Sequence, residues 1–316
     1  MSDWARTFPI PLGGSYSISQ LIQLIPEGRP QLSPVDRGIS VSFFSALDDA
    51  SDGCISFCSA QVDKAPLLIA ESSASVVVVR RPVSAIKNRN LILVDDPMLW
   101  FASMLRKLVP IDEVTAEQPN IHPSVSIGRD VRIGRNVFIG ENVVLGSGSC
   151  IGHGAVILRN SKIGVRCNIG ENSVIGAAGI AVSWNADNDP IRFPHHGSVL
   201  IGDDISIGAH ACIVRGMLSD TVIGSKTQIG NHVNIGHNVT IGQRCWISTR
   251  VVICGSVKMD EGVSVGAGSV INNHVSLGPD SSVGLGSVVT KLVDAGCSVF
   301  GNPAKRIRGL KVAVRV

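Results

Sequence analysis

The chain has 316 residues, room for two domains at about 150 residues each. A formal charge of +3 is too weak to argue for nucleic acid, and aromatic residues make up only 4% of the chain. Abundant aliphatic residues with 34 glycines exclude a disordered chain and point to many thin β layers filled by Ile and Val.

The start, MSDWARTFPI, lacks a basic segment followed by an apolar one, so no signal peptide is expected. The segment SISQLIQLIPEGRPQLSP predicts a helix leading into a strand. DGCISFCSAQVDKAPLLIAESSASVVVVRRP predicts strand, helix, strand. LILVDDPMLWFASMLRKLV predicts a strand and then a helix from about Pro97, where proline suits a first turn. Together these describe a small α/β domain over residues 1–115. The longest aliphatic run, Val76 to Val79, is far short of a membrane span. The eight cysteines form no CxxC pair and read as small packing residues of a reduced, cytoplasmic protein.

From Ile121 an aliphatic residue returns every sixth position as far as Ile175. The register resumes at Ile201, slips again, and runs from Ile223 to Val289. Gly follows most of these anchors. A six-residue period cannot be helical; it fits one short strand plus one corner, and three such units make one triangular coil. Stacked coils pair as parallel strands ~4.8 Å apart, and a single coil cannot bury its anchors alone. The predicted domain covers residues 116–293, with a tail, 294–316, closing the last coil. Two segments break the period: the loop 177–200, which holds Trp184, Phe193, His195 and His196, and the corner 214–222. A long loop on a solenoid is usually functional.

The pattern resembles the hexapeptide-repeat family, whose coils form a left-handed parallel β-helix and whose members are mostly trimeric acyltransferases. The stretch ACIVRGMLSDTVIGSKTQIGNHVNIGHN is similar to the N-acyltransferases of lipid A synthesis. Their catalytic histidine matches His237, and a second family histidine matches His274 in SVINNHVSLG. The resemblance implies a nucleotide-linked amino sugar as acceptor, with Phe57, Trp184, Arg215, Asn231 and Asn238 toward that substrate. The family holds its uracil with a Phe-x-x-Asn-x-x-Tyr pattern; here Phe57 stands, but Ala60 and Asp63 occupy the other two places. Gly230 and Val214 stand where the family usually has Asp.

The ending, SVFGNPAKRIRGLKVAVRV, departs from that family's carrier-protein-binding helices and resembles acetyltransferases that use coenzyme A. It implies an acyl-CoA cosubstrate, acetyl-CoA in the first instance, and no permanently bound cofactor. Ala267, Leu285, Pro303, Ala304, Lys305 and Arg306 would then line its arm and phosphates. The basic run of Lys305, Arg306, Arg308, Lys311 and Arg315 also reads as a solvated tail.

The expected function is therefore transfer of an acyl group from acyl-CoA to the amine of a nucleotide-linked amino sugar, for surface polysaccharide. The alternative is the lipid A N-acyltransferase with an acyl carrier protein donor. His237 suits a general base because imidazole changes charge near neutral pH. His274 lies two coils plus one residue further on, ~10 Å along the axis. It is therefore expected to contact the donor arm or the acceptor rather than His237. A backbone carbonyl or Asn231 is the expected orienter of His237. Two competing readings remain. One is a zinc site, since His232 and His237 are spaced as in β-helical carbonic anhydrases and His196 lies two coil lengths before His232. The other is a non-catalytic scaffold.

Overall fold

The computed structural model describes residues 9–33, 38–61, 63–83, 86, 89–109 and 120–307. The N-terminal start and Arg308, Lys311 and Arg315 lie outside the described residues. The chain divides into two compact units. One holds the described residues 9–109 and also 180–196; the other holds 120–179 and 197–307.

The first unit is a six-stranded sheet with helices. Its elements are β1 (Ile10–Ser17), α1 (Ile18–Leu24), β2 (Gln31–Leu32), β3 (Ser40–Phe44) and β4 (Cys54–Cys58), then α2 (Ala65–Glu71), β5 (Val76–Arg80), β6 (Asn90–Val94) and α3 (Pro97–Leu108). The sheet order is β1-β3-β4-β5-β6-β2, with β3 to β6 parallel and both edge strands antiparallel. Val76 to Val79 are all buried, as a strand covered on both faces requires. Ser17 and Gln20 form a reciprocal capping box on α1, and Asp96 caps α3 just before Pro97. Sequence pattern missed β1 and β3. Gly13 and Gly14 interrupt β1.

Residues 180–196, expected to be an irregular loop, form a hairpin of Val182–Trp184 against Pro190–Arg192. Along it Ser183 and Phe193 are buried, whereas Ile180 and Trp184 are exposed. Phe193 stacks parallel to Phe101 of α3 at 6.3 Å and packs 5.6 Å from Phe57. The hairpin thus completes an aromatic core with β4 and α3.

The second unit is a left-handed parallel β-solenoid. Two-residue strands alternate with turns, and among the described residues three sheets of eight, ten and eight strands run its length. Each anchor pairs with its counterpart one coil, or eighteen positions, further on: Ile235 with Ile253, and Ile253 with Ile271. Ile139, Ile157, Ile175, Ile213, Ile235, Ile253, Ile271 and Val289 form one continuous buried column. At the turns a residue with φ near +55° recurs every sixth position, as at His232, Asn238, Arg244 and Arg250. Left-handed backbone costs a non-glycine residue roughly 1–2 kcal/mol. The coil needs it to turn within two residues.

The two interruptions preserve this register. Ile163 pairs with Ile201, thirty-eight positions on instead of eighteen, so the first interruption adds twenty. Ile201 pairs with Ile223, twenty-two positions on, so the second adds four. Both loop out between strands and leave the pairing faces unrotated. No helix among the described residues is long and apolar enough to cross a membrane.

Candidate active site

His237 follows the strand Asn234–Ile235 and the glycine Gly236, at a coil corner, and is half-buried. Its ring lies against the next coil. A Cβ placed on Gly255 would come within 2.7 Å of the imidazole Cε1 and Nε2. Glycine at 255 is therefore what gives the ring its seat. The regular repeat places glycine directly after the anchor, but after Ile253 comes Cys254 and the glycine is displaced by one. That displacement was a readable signal for Gly255, and sequence reasoning passed over it.

His237 Nδ1 stands 2.9 Å from Asn238 Oδ1. Asn238 is tied in turn to the second interruption. Its Oδ1 accepts the Met217 N–H at 3.0 Å, and its Nδ2 donates to Ser219 Oγ at 2.6 Å and to the Ser219 carbonyl at 3.3 Å. Its own N–H donates to Thr221 Oγ1 at 3.0 Å. That corner is fastened to the preceding coil, because Asp220 Oδ1 accepts from Ser198 N–H at 2.8 Å and from its hydroxyl at 2.5 Å.

The other residues singled out by sequence fall into separate groups. Asn238, rather than Asn231 or a backbone carbonyl as expected, is the group facing His237 Nδ1. Asn231 Oδ1 instead accepts the Ala209 N–H at 2.9 Å on a different corner. Coil by coil along that corner, Thr249 Oγ1 donates to the Asn231 carbonyl at 2.9 Å, and the N–H groups of Gly268 and Gly286 donate to the carbonyls of Thr249 and Ala267; Leu285 is exposed. Arg215, expected toward substrate, is 4% exposed, and its Nε and Nη2 donate to the carbonyls of Gly176 and Arg159. It staples three coils, satisfying carbonyls that burial would otherwise leave costly. His274 is exposed at a φ-positive corner position, two coils above Asn238. Phe57 and Trp184 belong to the α/β unit. Phe57 packs against Phe101 and Phe193, and Trp184 is exposed on the hairpin.

His232 stacks on His210 at 5.1 Å. His196 belongs to the α/β unit, where it packs edge-on against Phe44. Among the described residues no group of three His, Cys, Asp or Glu side chains is placed to hold a metal ion within one chain. The spacing that suggested zinc thus yields no ligand set there.

Burial raises the thiols of Cys58, Cys167 and Cys212 above the ordinary range, and that of Cys254 likewise. Thiolate character is suppressed by desolvation. These cysteines fit the packing role expected of them.

A stacked array of six-residue coils, left-handed and carrying a histidine at a glycine-backed corner, is the hexapeptide-repeat acyltransferase fold. The chain is homologous, over about half its length, to UDP-3-O-acylglucosamine N-acyltransferases. It is 34% identical over 151 residues to that enzyme of Methylorubrum populi, covering 48% of this chain and 43% of the relative. It is 31% identical over 211 residues to that of Coxiella burnetii, covering 60% and 61%. The chain therefore spans about half the length of the relatives it matches. Residues 115–219 also match the model of the GMPPB C-terminal domain. Among solved structures, the UDP-N-acetylglucosamine acyltransferase of Bacteroides fragilis superposes with a TM-score of 0.55 at 23% identity, over 64% of this chain and 80% of that one. That of Campylobacter jejuni gives 0.53 at 23%, over 59% and 73%. At this identity the two superpositions speak for the fold.

The relatives overturn the expectation of an acyl-CoA donor. They are UDP-3-O-acylglucosamine N-acyltransferases, the family whose resemblance implies a carrier-protein thioester. The ending that suggested coenzyme A has a structural use. Ala304 packs on the solenoid core and donates its N–H to the Val288 carbonyl at 2.8 Å. Lys305–Arg306 then adds an antiparallel strand to Ser298–Phe300. With Pro303 preceding them, these residues close the last coil. A five-residue likeness was outweighed by homology over half the chain.

Proposed function

We propose that this protein is an N-acyltransferase that moves an acyl group from an acyl carrier protein thioester to the amine of a uridine-nucleotide-linked, 3-O-acylated glucosamine. The observation carrying the reading is the His237 ring seated on Gly255 beside Asn238, in a chain homologous over about half its length to such enzymes. As the amine nitrogen bonds to the thioester carbon, its proton passes to His237. The C–S bond then breaks, and the departing thiolate takes that proton, giving amide and thiol. A base in such a role contributes typically 10²- to 10⁴-fold. The backbone N–H groups of the glycine-backed corner are candidates to hold the oxyanion of the tetrahedral intermediate.

The working form is a homotrimer in the cytoplasm, with neighbouring chains forming the walls of the cleft at His237. Light scattering tests the assembly, and a monomer at working concentration removes an intersubunit cleft from the reading. The decisive assay incubates the protein with acyl carrier protein thioesters and UDP-3-O-acylglucosamine and weighs the product by mass spectrometry. A product heavier by one acyl group, absent with His237→Ala, is expected. Absence of product from every carrier-protein thioester tried would sink the proposal.

A further inference from the structure

We propose that Asn238, held by the four-residue insertion at the corner 214–222, is a positioning residue that fixes His237 as the Nδ1–H tautomer and so makes Nε2 the nitrogen that takes the proton. The inference rests on the proposed reaction but is drawn from donor and acceptor accounting alone.

The side-chain amide of Asn238 has two ends, and two neighbours determine which end is which. The Ser219 carbonyl only accepts, so the atom 3.3 Å from it must be the NH₂ nitrogen. The Met217 backbone N–H only donates, so the atom 3.0 Å from it must be the oxygen. These neighbours lie on either side of the amide and agree. A flipped amide would set NH₂ against N–H and oxygen against oxygen. The Ser219 hydroxyl, 2.6 Å from Nδ2, fits the same orientation. It is thus the oxygen of Asn238 that stands 2.9 Å from His237 Nδ1. An amide oxygen cannot donate, so Nδ1 carries the hydrogen. A neutral imidazole carries one N–H, which leaves the lone pair on Nε2.

This accounts for the second interruption. Met217, Ser219 and Thr221 supply the bonds described for Asn238, and all three stand in the corner that adds four residues to a regular coil. A regular six-residue corner has no spare residues to grip a side chain from both ends. The insertion is rigid because the Asp220 carboxylate ties it to Ser198 one coil earlier. The coil above seats the ring at Gly255, and the inserted corner below sets its tautomer.

The experiment is nitrogen NMR of protein labelled with ¹⁵N-histidine, with the His237 signals assigned by their loss in His237→Ala. No donor or acceptor is present, so the readout stands apart from whether carrier-protein acyl transfer occurs. In the wild type, Nδ1 is expected to be protonated and Nε2 pyridine-like. Asn238→Ala should give a mixture of tautomers and a kcat lowered about 10- to 100-fold, less than loss of the base itself, with KM little changed. Asn238→Asp is the second arm, in case the alanine variant does not fold. It keeps an oxygen on Nδ1, so the tautomer should be retained. Its charge favours imidazolium, so the acid limb of the pH–kcat profile should move to higher pH. A wild-type protein with the hydrogen on Nε2, or an Asn238→Ala protein with an unchanged tautomer, overturns the proposal. So does an acid limb that stays put or moves down in Asn238→Asp.

Discussion

The regular coils and the two interruptions follow different rules. In the coils from Ile223 to Val289 the roles follow the place in six: anchor inward, glycine after most anchors under the next backbone, left-handed residue at the turn. The interruptions obey no period, and each serves one purpose. Residues 180–196 lend Phe193 to the aromatic core of the α/β unit, and residues 214–222 grip Asn238. The periodic part supplies a rigid frame without choosing any chemistry. The proposed chemistry sits where an aperiodic segment reaches a regular corner.

That contrast can be broken in the core first. Ile253 is fully buried in the anchor column, so Ile253→Ala should cost about 2–5 kcal/mol in denaturant unfolding. Ile180→Ala on the hairpin, at 78% exposure, should cost within about 0.5 kcal/mol. Equal costs at the two sites would erase the distinction between frame and insertion.

His237→Ala should lower turnover at least ~10²-fold while the melting temperature changes little, because a half-buried corner side chain adds little packing. Near-normal turnover would return His237 to an ordinary corner residue.

Gly255→Ala tests the seat. The backbone at 255 is not left-handed, so alanine is tolerated by the chain, but its methyl meets the imidazole at 2.7 Å. Turnover should fall about 10-fold, an estimate below full loss of the base. Gly236→Ala in the coil beneath is the control. Its methyl would strike the Gly255 backbone nitrogen at 2.8 Å, so it should lose stability as well.

The smallest effect is expected on the surface of a regular coil. Arg166 grips Asp204 through Nε and Nη2 and holds its carboxyl below the ordinary range. The contribution is present above the unfolded carboxylate value of ~3.9 and disappears as pH falls through the lower folded value. Arg166 is exposed and Asp204 partly so, and water screens the pair. Urea melts of the wild type and Asp204→Asn should nearly coincide at neutral pH and merge in acid. A large gap at neutral pH would mean that the coils depend on their outer charges.

The frame was legible in the sequence because its rule is local: six residues suffice to place an anchor, and the same rule recurs. Both interruptions were legible as breaks, and His237 was reached through resemblance. What sequence could not show were relations across coils. Arg215 looks like a substrate contact in a motif, yet its guanidinium closes on Gly176 and Arg159, 39 and 56 residues away. Asn238 and Ser219 meet across 19 residues, through geometry created by the insertion. The hairpin was hidden for a similar reason. Its strands have three residues each, and Phe193, just past the second, is packed against Phe57 and Phe101, which are distant in sequence.

The constant step from one coil to the next makes the solenoid a screw thread, and a thread has its own arithmetic of inherited length. Loss or duplication of one whole coil within the regular stretch shortens or lengthens the rod by ~4.8 Å and returns every later side chain to its own face. Loss of a single six-residue unit keeps every anchor inward but turns all that follows by a third of a circle. His274 would leave the column of Asn238 without any change of amino acid. Over descent such a molecule can vary freely in whole turns, whereas partial turns re-aim everything beyond them. The two insertions escape this rule only because they bulge out of the thread instead of advancing it.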